Sequence, residues 1–277
     1  MDLFKFDSSK ALFVGVEREA FLVDDNGIIK PKASAVIDDA QGDARFGYEL
    51  SACQIESRIG PCDLSQLPGK LKEVEDALVG YLATASSCLS IIPGLADWCH
   101  DRPEDYCHPP YENNLHTSYV EVGPPDMPLD IYPDPSGRYQ SISAKMPPEV
   151  ILAALRVIGT HIHIGVPDHE TALKVYNQVI KKCDWLCARG NGSFGERLDI
   201  YRVVAPDCDP HPYSDWTDFY RVALAKGFDQ DPRKCWTLIR ISKHGTIEFR
   251  MFGATASLER IVSWAKLCHD LCKEAMA

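Results

Sequence analysis

The stretch Val14-Gly15-Val16-Glu17-Arg18-Glu19-Ala20-Phe21-Leu22-Val23 predicts a buried strand that carries two carboxylates on one face. Residues i and i+2 of an extended strand point to the same side, so Glu17 and Glu19 lie next to each other. The apolar residues before and after them are continuous, as in a strand that is covered on both faces. We expect the strand to end at the turn residues 24–27, with residues 28–37 returning as its hairpin partner.

The same alternation recurs twice further along the chain. Gly159-Thr160-His161-Ile162-His163 and Gly245-Thr246-Ile247-Glu248-Phe249-Arg250 each place two ionisable side chains at alternate positions. Each pair alone has an ordinary explanation, because strands carry local charge pairs and core histidines are commonly hydrogen-bonded. The recurrence in three stretches favours one charged face that is built across a sheet.

Two further carboxylates extend this set, Glu49 in Tyr48-Glu49-Leu50 and Glu56 in Gln54-Ile55-Glu56. So many ionisable groups are costly to bury unless a cation binds among them. Carboxylate oxygens in this number, with an imidazole, suit Mg²⁺ or Mn²⁺ better than zinc, and phosphate oxygens complete such sites. An arginine on the same face would stabilise charge on a transferring phosphoryl group. The sequence therefore predicts a metal site that binds a nucleotide.

Composition excludes several classes of protein. The chain has 277 residues, of which 45% are hydrophobic and 25% charged, as in ordinary soluble globular proteins. A formal charge of -11 argues against nucleic acid as the main partner. No long apolar run and no export signal are present, so we expect a cytoplasmic protein with no membrane segment. The group Cys99, His100, Cys107 and His108 could hold zinc, although its spacing matches no standard zinc pattern.

Helical spacing of apolar residues predicts the remaining elements. Helices are expected at residues 67–89, 148–158, 168–188, 215–226 and 257–276. Residues 93–148 are rich in Pro, Asp, Tyr and His, which predicts an insertion that shapes a substrate pocket. With no repeat and no linker, residues 1–277 are expected to form a single α+β domain. A mainly antiparallel, curved sheet would carry the charged face, and helices would cover its other side.

In this order, the motifs resemble the glutamine synthetase-like carboxylate-amine ligases, and in particular the branch of the family-2 glutamate-cysteine ligases and amidoligases. Residues 14–24, 48–56, 159–167 and 240–250 are similar to the metal- and phosphate-binding stretches of that superfamily. Residues 253–267 resemble the amidoligase branch. The resemblance covers most of the chain and implies a fold like the glutamine synthetase catalytic domain.

The resemblance also implies a role for each residue of the site. Glu19, Glu49 and Glu56 would hold one metal ion, and Glu17, His161 and Glu248 a second one beside the phosphates of ATP. Arg240 and Arg250 would contact the transferred phosphoryl group, whereas Arg138, Tyr139 and Arg202 would contact substrate or nucleotide. His163 would be a neighbour of the site rather than a ligand.

The implied reaction uses ATP to convert a carboxylate into an acyl phosphate, from which an amine displaces phosphate to form an amide. Its partners would be a small-molecule carboxylate and an amine, which includes peptides. A homo-oligomer is compatible with the sequence. On the same fold, a phosphotransferase or a non-catalytic metal- or nucleotide-binding protein is the alternative, and a zinc hydrolase is a weaker one. We expect Glu19→Gln or Glu248→Gln to abolish metal-dependent nucleotide binding with little loss of fold.

This chain departs from the glutamate-cysteine ligase pattern in several stretches. Where many relatives have Ser-Pro-Phe-Trp and a later Ser-x-Arg, residues 187–194 read Cys-Ala-Arg-Gly-Asn-Gly-Ser-Phe and Tyr201-Arg202 follows. The positions near Ile59 and Gly253 also differ, so the identities of the carboxylate and the amine stay open. Gly190, Gly192 and Gly195 form a G-x-G-x-x-G string that follows a predicted helix rather than a strand. This context excludes a dinucleotide fingerprint and leaves a mobile lid or a helix-ending turn.

Overall fold

A mainly antiparallel sheet organises the protein. The computed structural model describes residues 3–87 and 114–277. Within these ranges the strands are β1 (Val14–Val23), β2 (Phe46–Tyr48), β3 (Gln54–Cys62), β4 (His116–Ser118), β5 (Gly159–Gly165), β6 (Ile239–Ser242) and β7 (Thr246–Gly253). They follow the order β2-β3-β1-β5-β7-β6, and β4 pairs with the end of β1. All these strand pairings are antiparallel, which confirms the predicted α+β class.

Helices lie on both sides of this sheet. They are α1 (Ala33–Asp39), α2 (Leu67–Ser87), α3 (Arg138–Ser143), α4 (Pro148–Arg156), α5 (His169–Val179), α6 (Cys183–Gly190), α7 (Glu196–Val204), α8 (Trp216–Lys226) and α9 (Leu258–Met276). Helix α2 packs on β3, α5 on β6 and β7, and α9 on β1 and β5. Apolar side chains between these layers, such as Leu78, Ile162 and Phe249, are almost completely removed from solvent. No helix in the described parts of the chain is long and apolar enough to cross a membrane.

The predicted helix starts in the second half of the chain are confirmed by their caps. Asp168 accepts a hydrogen bond from the backbone N–H of Thr171 at 2.8 Å, and Asp215 begins α8 in the same way. Ser257 caps α9. These side chains satisfy N–H groups that the first helical turn leaves without partners. The helix predicted over residues 168–188 is divided into α5 and α6 by the short 3₁₀ turn Ile180–Lys182.

The hairpin predicted for residues 28–37 is wrong. Ile29 forms a single bridge with Val23, and the chain then enters α1 at Ala33. Pro31 has no N–H group with which to continue strand pairing. Ala33 and Val36, three residues apart, are fully buried, and α1 packs against α2. Burying this apolar helical face stabilises α1, and the turn residues on which the hairpin prediction depended do not prevent the helix from forming.

A bulge in β7 decides which of its side chains reach the charged face. Thr160 pairs with Phe252 and Ile162 with Phe249, so β7 has one more residue than β5 over this interval. Such an extra residue shifts the alternation of side chains along a strand. Phe252 consequently stacks on Trp264 of α9, with ring centroids 5.0 Å apart, although strict alternation would have put it on the face of Glu248.

Two of the predictions concern segments that are described in part or not at all. Residues 114–148 of the predicted insertion contain β4 and α3, and the latter contributes to the cavity described below. The proposed Cys99, His100, Cys107 and His108 group lies outside the described residues. The single domain over residues 1–277 stays a prediction.

Candidate active site

The face of the sheet opposite α2, α5 and α9 forms the floor of a cavity of about 530 Å³. Strands β1, β3, β5, β6 and β7 supply this floor, and α3, α4 and α7 supply walls. The six residues predicted as metal ligands all line the cavity, namely Glu17, Glu19, Glu49, Glu56, His161 and Glu248. Four of the five residues predicted to contact phosphate or substrate do so as well, namely Arg138, Tyr139, Arg240 and Arg250.

Three carboxylates form the first group, which we call the triglutamate cluster: Glu19, Glu49 and Glu56. One oxygen from each lies within 4.8 Å of the others. Glu19 and Glu56 pair across the β1–β3 ladder, and Glu49 comes from the turn before β3. Burial, and then the charge of Glu56, raises the pKa of Glu49 well above its ordinary value, and burial raises the pKa of Glu56. Bringing these anions together is unfavourable, and a divalent cation would relieve this repulsion.

The second group, which we call the histidine cluster, contains Glu17, His163 and Glu248, again with one ligand atom from each within 4.8 Å. His163 pairs with Glu248 across β5 and β7. A hydrogen bond of 2.9 Å between Nδ1 of His163 and Oγ1 of Thr246 fixes the imidazole ring. The opposite nitrogen, Nε2, is buried, has no hydrogen-bond partner in the described protein, and lies 3.6 Å from Oε1 of Glu17. An unpartnered imidazole nitrogen beside two carboxylates fits a metal ligand.

The structure therefore differs from the predicted ligand set at the histidines. His163, which was predicted to be a neighbour of the site, lies beside Glu17 and Glu248 in the place predicted for His161. His161 instead lies between the two clusters, with Nδ1 at 3.2 Å from Glu17 Oε2 and Nε2 at 3.8 Å from Glu19 Oε1. The register explains this difference, because His161 is opposite Glu17 on β1 whereas His163 is opposite Glu248 on β7.

Two arginines connect the histidine cluster to the rest of the cavity. Arg240 binds both carboxylate oxygens of Glu248, at 2.7 and 2.8 Å, and Arg250 Nη1 donates to Oε1 at 2.6 Å. Burial alone would raise the pKa of the fully buried Glu248, but Arg240, His163 and Arg250 hold it well below the ordinary range. The guanidinium groups are thus fixed beside the proposed metal ligands, where an anionic group would bind.

Arg202 does not line the cavity. It lies on the exposed side of α7, where Nη1 is 3.3 Å from Oδ1 of Asp199. Arg197, on the same helix, faces the cavity and donates from Nε to the carbonyl of Ile158 at 2.6 Å. The sequence offered no signal for Arg197, because its environment depends on how α7 packs on α4. Arg58 was also missed, although it continues the alternation after Glu56 and donates to that carboxylate at 2.5 Å.

The glycine string is a connection between α6 and α7. Gly190 ends α6, and Gly195, with φ of 104°, immediately precedes α7. The carboxylate of Glu121, which is buried, accepts hydrogen bonds from the backbone N–H groups of Gly192 at 2.7 Å and Ser193 at 3.0 Å. No strand leads into this loop, as expected for a site that is not a dinucleotide fingerprint. Its motion as a lid stays a prediction.

The α+β fold is the one that the resemblance to the carboxylate-amine ligases implies, and comparison with known proteins finds relatives of that kind. No family model matches the chain. The chain is 27% identical over 277 residues to "Putative glutamate--cysteine ligase 2-1" of Rhodococcus jostii, and the match covers 92% of this chain and 67% of that protein. It is 24% identical over 285 residues to "Putative glutamate--cysteine ligase 2-2" of Saccharopolyspora erythraea, and this match covers 95% of this chain and 65% of that protein.

A shorter match of 131 residues, 28% identical, joins the chain to "Putative glutamate--cysteine ligase 2" of Gloeobacter violaceus and covers 42% of this chain and 35% of that protein. The chain thus spans about two thirds of the length of the relatives that it matches most fully. These similarities confirm the resemblance to the family-2 glutamate-cysteine ligase branch and favour a ligase over the other classes of enzyme.

Proposed function

We propose that this protein is an ATP- and Mg²⁺-dependent carboxylate-amine ligase that activates an amino-acid-like carboxylate as an acyl phosphate and joins it to an amine. The observation that carries the proposal is the placement of the triglutamate cluster, the histidine cluster, Arg240 and Arg250 in one cavity. The similarity to proteins named as glutamate-cysteine ligases supports the same class of reaction.

The donor set fits divalent metal ions of the Mg²⁺ or Mn²⁺ type. The triglutamate cluster would hold one ion, and Glu17, His163 and Glu248 would hold a second one. Carboxylates with a single imidazole match the preference of these ions, and the buried Nε2 of His163 lacks another partner among the described residues. When bound, such ions neutralise phosphate oxygens and orient a nucleotide.

The side chains around the clusters would then position the reactants. Arg240 and Arg250 would stabilise the negative charge that develops during phosphoryl transfer, and Glu248 holds both guanidinium groups in place. His161, whose Nδ1 is 3.2 Å from Glu17, would fix the orientation of that carboxylate. The wall formed by α3 and α4 would limit access of water, which competes with the amine for the acyl phosphate.

The nature of the bond distinguishes this proposal from a phosphotransferase on the same fold. A γ-glutamyl or peptide-like amide is the product that the names of the relatives suggest, but residues 187–194 differ from the glutamate-cysteine ligase pattern, so the substrates require direct identification. A ligase releases ADP and phosphate together with an amide. A phosphotransferase releases ADP with a stable phosphorylated acceptor.

The experiment that tests the proposal starts with calorimetric titration of ATP into the full chain with and without Mg²⁺. ADP release is then measured against pooled carboxylates and amines, and the products are identified by mass spectrometry. We expect Mg²⁺-dependent ATP binding and a new amide mass. Glu19→Gln should lose both signals, whereas Glu259→Gln on α9, outside the cavity, should keep them. ATP binding without turnover would identify a binding protein, and turnover without nucleotide would identify a hydrolase; either result rejects the ligase.

A further inference from the structure

The cavity has a second side whose chemistry the proposed metal site does not use. Six side chains form what we call the apolar wall: Leu50, Tyr139, Ile142, Met146, Ala154 and Val157. Each of them is half-buried rather than part of the closed core. Their neighbours on α4, Ala153 and Leu155, are buried. The apolar wall therefore exposes its surface to the interior of the cavity.

Helical spacing explains why these residues share one side. Tyr139 and Ile142 are three residues apart on α3, and Met146 follows in the turns that continue it. Residues three apart lie on the same face of a helix. Ala154 lies in the last turn of α4, and Val157 is the extended residue that directly follows this helix. The faces of α3 and α4 thus present apolar groups toward one volume.

This wall adjoins the triglutamate cluster. The ring of Tyr139 is edge-on to the ring of Tyr48 at 5.8 Å, and its hydroxyl donates to the Tyr48 carbonyl oxygen at 3.4 Å. The next residue in the chain is Glu49. Burial, together with the charges of Glu49 and Glu56, raises the pKa of Tyr139 well above its ordinary value, in agreement with this proximity. A ligand on the wall would be held beside the proposed metal centre.

Arg138 lies at the edge of the same wall, four residues before Ile142 on α3. Among the described residues no carboxylate lies within ion-pair distance of its guanidinium, whose carbon is 5.7 Å from the centroid of the Tyr139 ring. The other arginines of the cavity already have partners: Arg58 binds Glu56, Arg233 binds Asp231, Arg240 and Arg250 bind Glu248, and Arg197 binds backbone carbonyls. Arg138 is therefore available for a carboxylate of the ligand.

Building on the proposed ligase function, we propose that the amine substrate is an amino acid with a large apolar side chain. Its carboxylate pairs with Arg138, its side chain covers the apolar wall, and its amino group reacts. The nitrogen forms a bond to the acyl carbon of the acyl phosphate as the bond from that carbon to the phosphate oxygen breaks, and the nitrogen releases one proton. ATP, a carboxylate and the amino acid become ADP, phosphate and an amide.

A small thiol side chain such as that of cysteine would leave most of this wall in contact with water. Each methylene group that a hydrophobic pocket accommodates changes the specificity constant by about ten-fold or more. We therefore expect kcat/KM for phenylalanine or leucine to exceed that for alanine or cysteine by at least about ten-fold.

The test measures ADP release by the full chain with ATP, Mg²⁺ and pooled carboxylates, with single amino acids as the amine. Ile142→Asp should remove the preference for phenylalanine over alanine, whereas Ser141→Asp, on the exposed side of the same helix, should keep it. Ala154→Phe should reverse the order by filling the wall. Phenethylamine, which lacks the carboxylate, separates the role of Arg138: Arg138→Gln should raise KM for phenylalanine and leave KM for phenethylamine unchanged.

Two results would overturn this inference, namely equal use of alanine, cysteine and phenylalanine by the unsubstituted protein, or an unchanged preference in Ile142→Asp. Calorimetry with phenylalanine and a non-hydrolysable ATP analogue separates these results from failure of the ligase itself. Phenylalanine binding that Ile142→Asp abolishes, without ADP release, supports the amino-acid site and rejects the ligase. Absence of phenylalanine binding while other amines support ADP release keeps the ligase and rejects the site.

Discussion

The carboxylate of Glu248 and the guanidinium of Arg240 form two parallel hydrogen bonds, of 2.7 and 2.8 Å, across strands β6 and β7. Glu248 has no solvent exposure, and Arg250 donates to it as well. A residue proposed to bind metal is therefore also the counterion of two arginines that are proposed to bind phosphate. Because of this double role, we expect Glu248 to contribute more to the stability of the fold than a carboxylate of the site that has no arginine partner.

We predict that Glu248→Gln destabilises the protein strongly, in contrast to the small loss of fold expected from the sequence alone. The substitution removes the counterion of the buried Arg250 and of the partly buried Arg240, and breaking a buried ion pair costs on the order of 3 kcal/mol. Among the described residues Glu19 pairs with no arginine, and its bond from the Gly159 N–H is one that a glutamine oxygen also accepts. Urea unfolding in EDTA should show a large loss for Glu248→Gln and little change for Glu19→Gln. Equal stabilities would contradict this assignment.

Glu49→Gln should stabilise the metal-free protein while it abolishes stabilisation by Mn²⁺. The pKa of Glu49 is raised in the folded state by burial and by Glu56, so its charge opposes folding. This penalty is absent below the ordinary pKa of 4.5 and grows as the pH rises toward the folded-state value. At pH 7.5 in EDTA we expect Glu49→Gln to be more stable by on the order of 1 kcal/mol.

Thermal melts of both proteins between pH 5 and 8 would measure this effect, since the difference in stability should increase with pH. A constant difference would show that the charge of Glu49 is already compensated within the protein.

The two histidines of β5 should differ in their effect on metal binding. His163→Ala removes the unpartnered Nε2 beside Glu17 and Glu248 and should weaken Mn²⁺ binding by about ten-fold or more. His161→Ala removes a contact between the clusters and should have the smaller effect. Titration of each variant with Mn²⁺, followed by electron paramagnetic resonance, would compare them. A larger loss in His161→Ala would restore the ligand set that the sequence predicted.

Gly253→Ala and Gly80→Ala should change stability in opposite directions. A Cβ atom at Gly253 would overlap with the carboxylate of Glu121, which holds the loop before α7. Gly80 lies on the exposed side of α2, where, apart from its own stretch of helix backbone, the described residues place no atom within 4 Å of such a Cβ. Alanine is favoured over glycine in a helix interior by about 1 kcal/mol, so Gly80→Ala should raise the melting temperature. A stable Gly253→Ala variant would show that Glu121 moves without cost.

Much of the charged face could be predicted because alternation of side chains is a local property of a strand. Glu17 and Glu19 lie on one face, as their spacing predicts. Glu49 and Glu56, which the order of the motifs assigned to the same site, line the same cavity. The position of His163 could not be predicted, because it depends on the register between β5 and β7, which pairs His163 with Glu248.

The helix at residues 33–39 and the inward position of Arg197 were missed for a related reason. Both depend on which surface each segment packs against, which a single sequence does not specify. Arg202 was chosen from a resemblance in a stretch where this chain departs from its relatives, and the side of α7 that faces the cavity carries Arg197 instead.

The pairing between β1 and β5 has an implication for how the chemistry of this protein is encoded. Glu17 lies opposite His161 because the backbone hydrogen bonds fix one register. A slip of β1 by a single residue would turn Val16 and Arg18 toward the cavity and both glutamates toward the helices. A change in the loops could not then restore the metal-binding groups. Substitutions in the walls of the cavity can therefore change which substrate binds, whereas the residues of its floor are constrained by the hydrogen-bond ladder of the sheet.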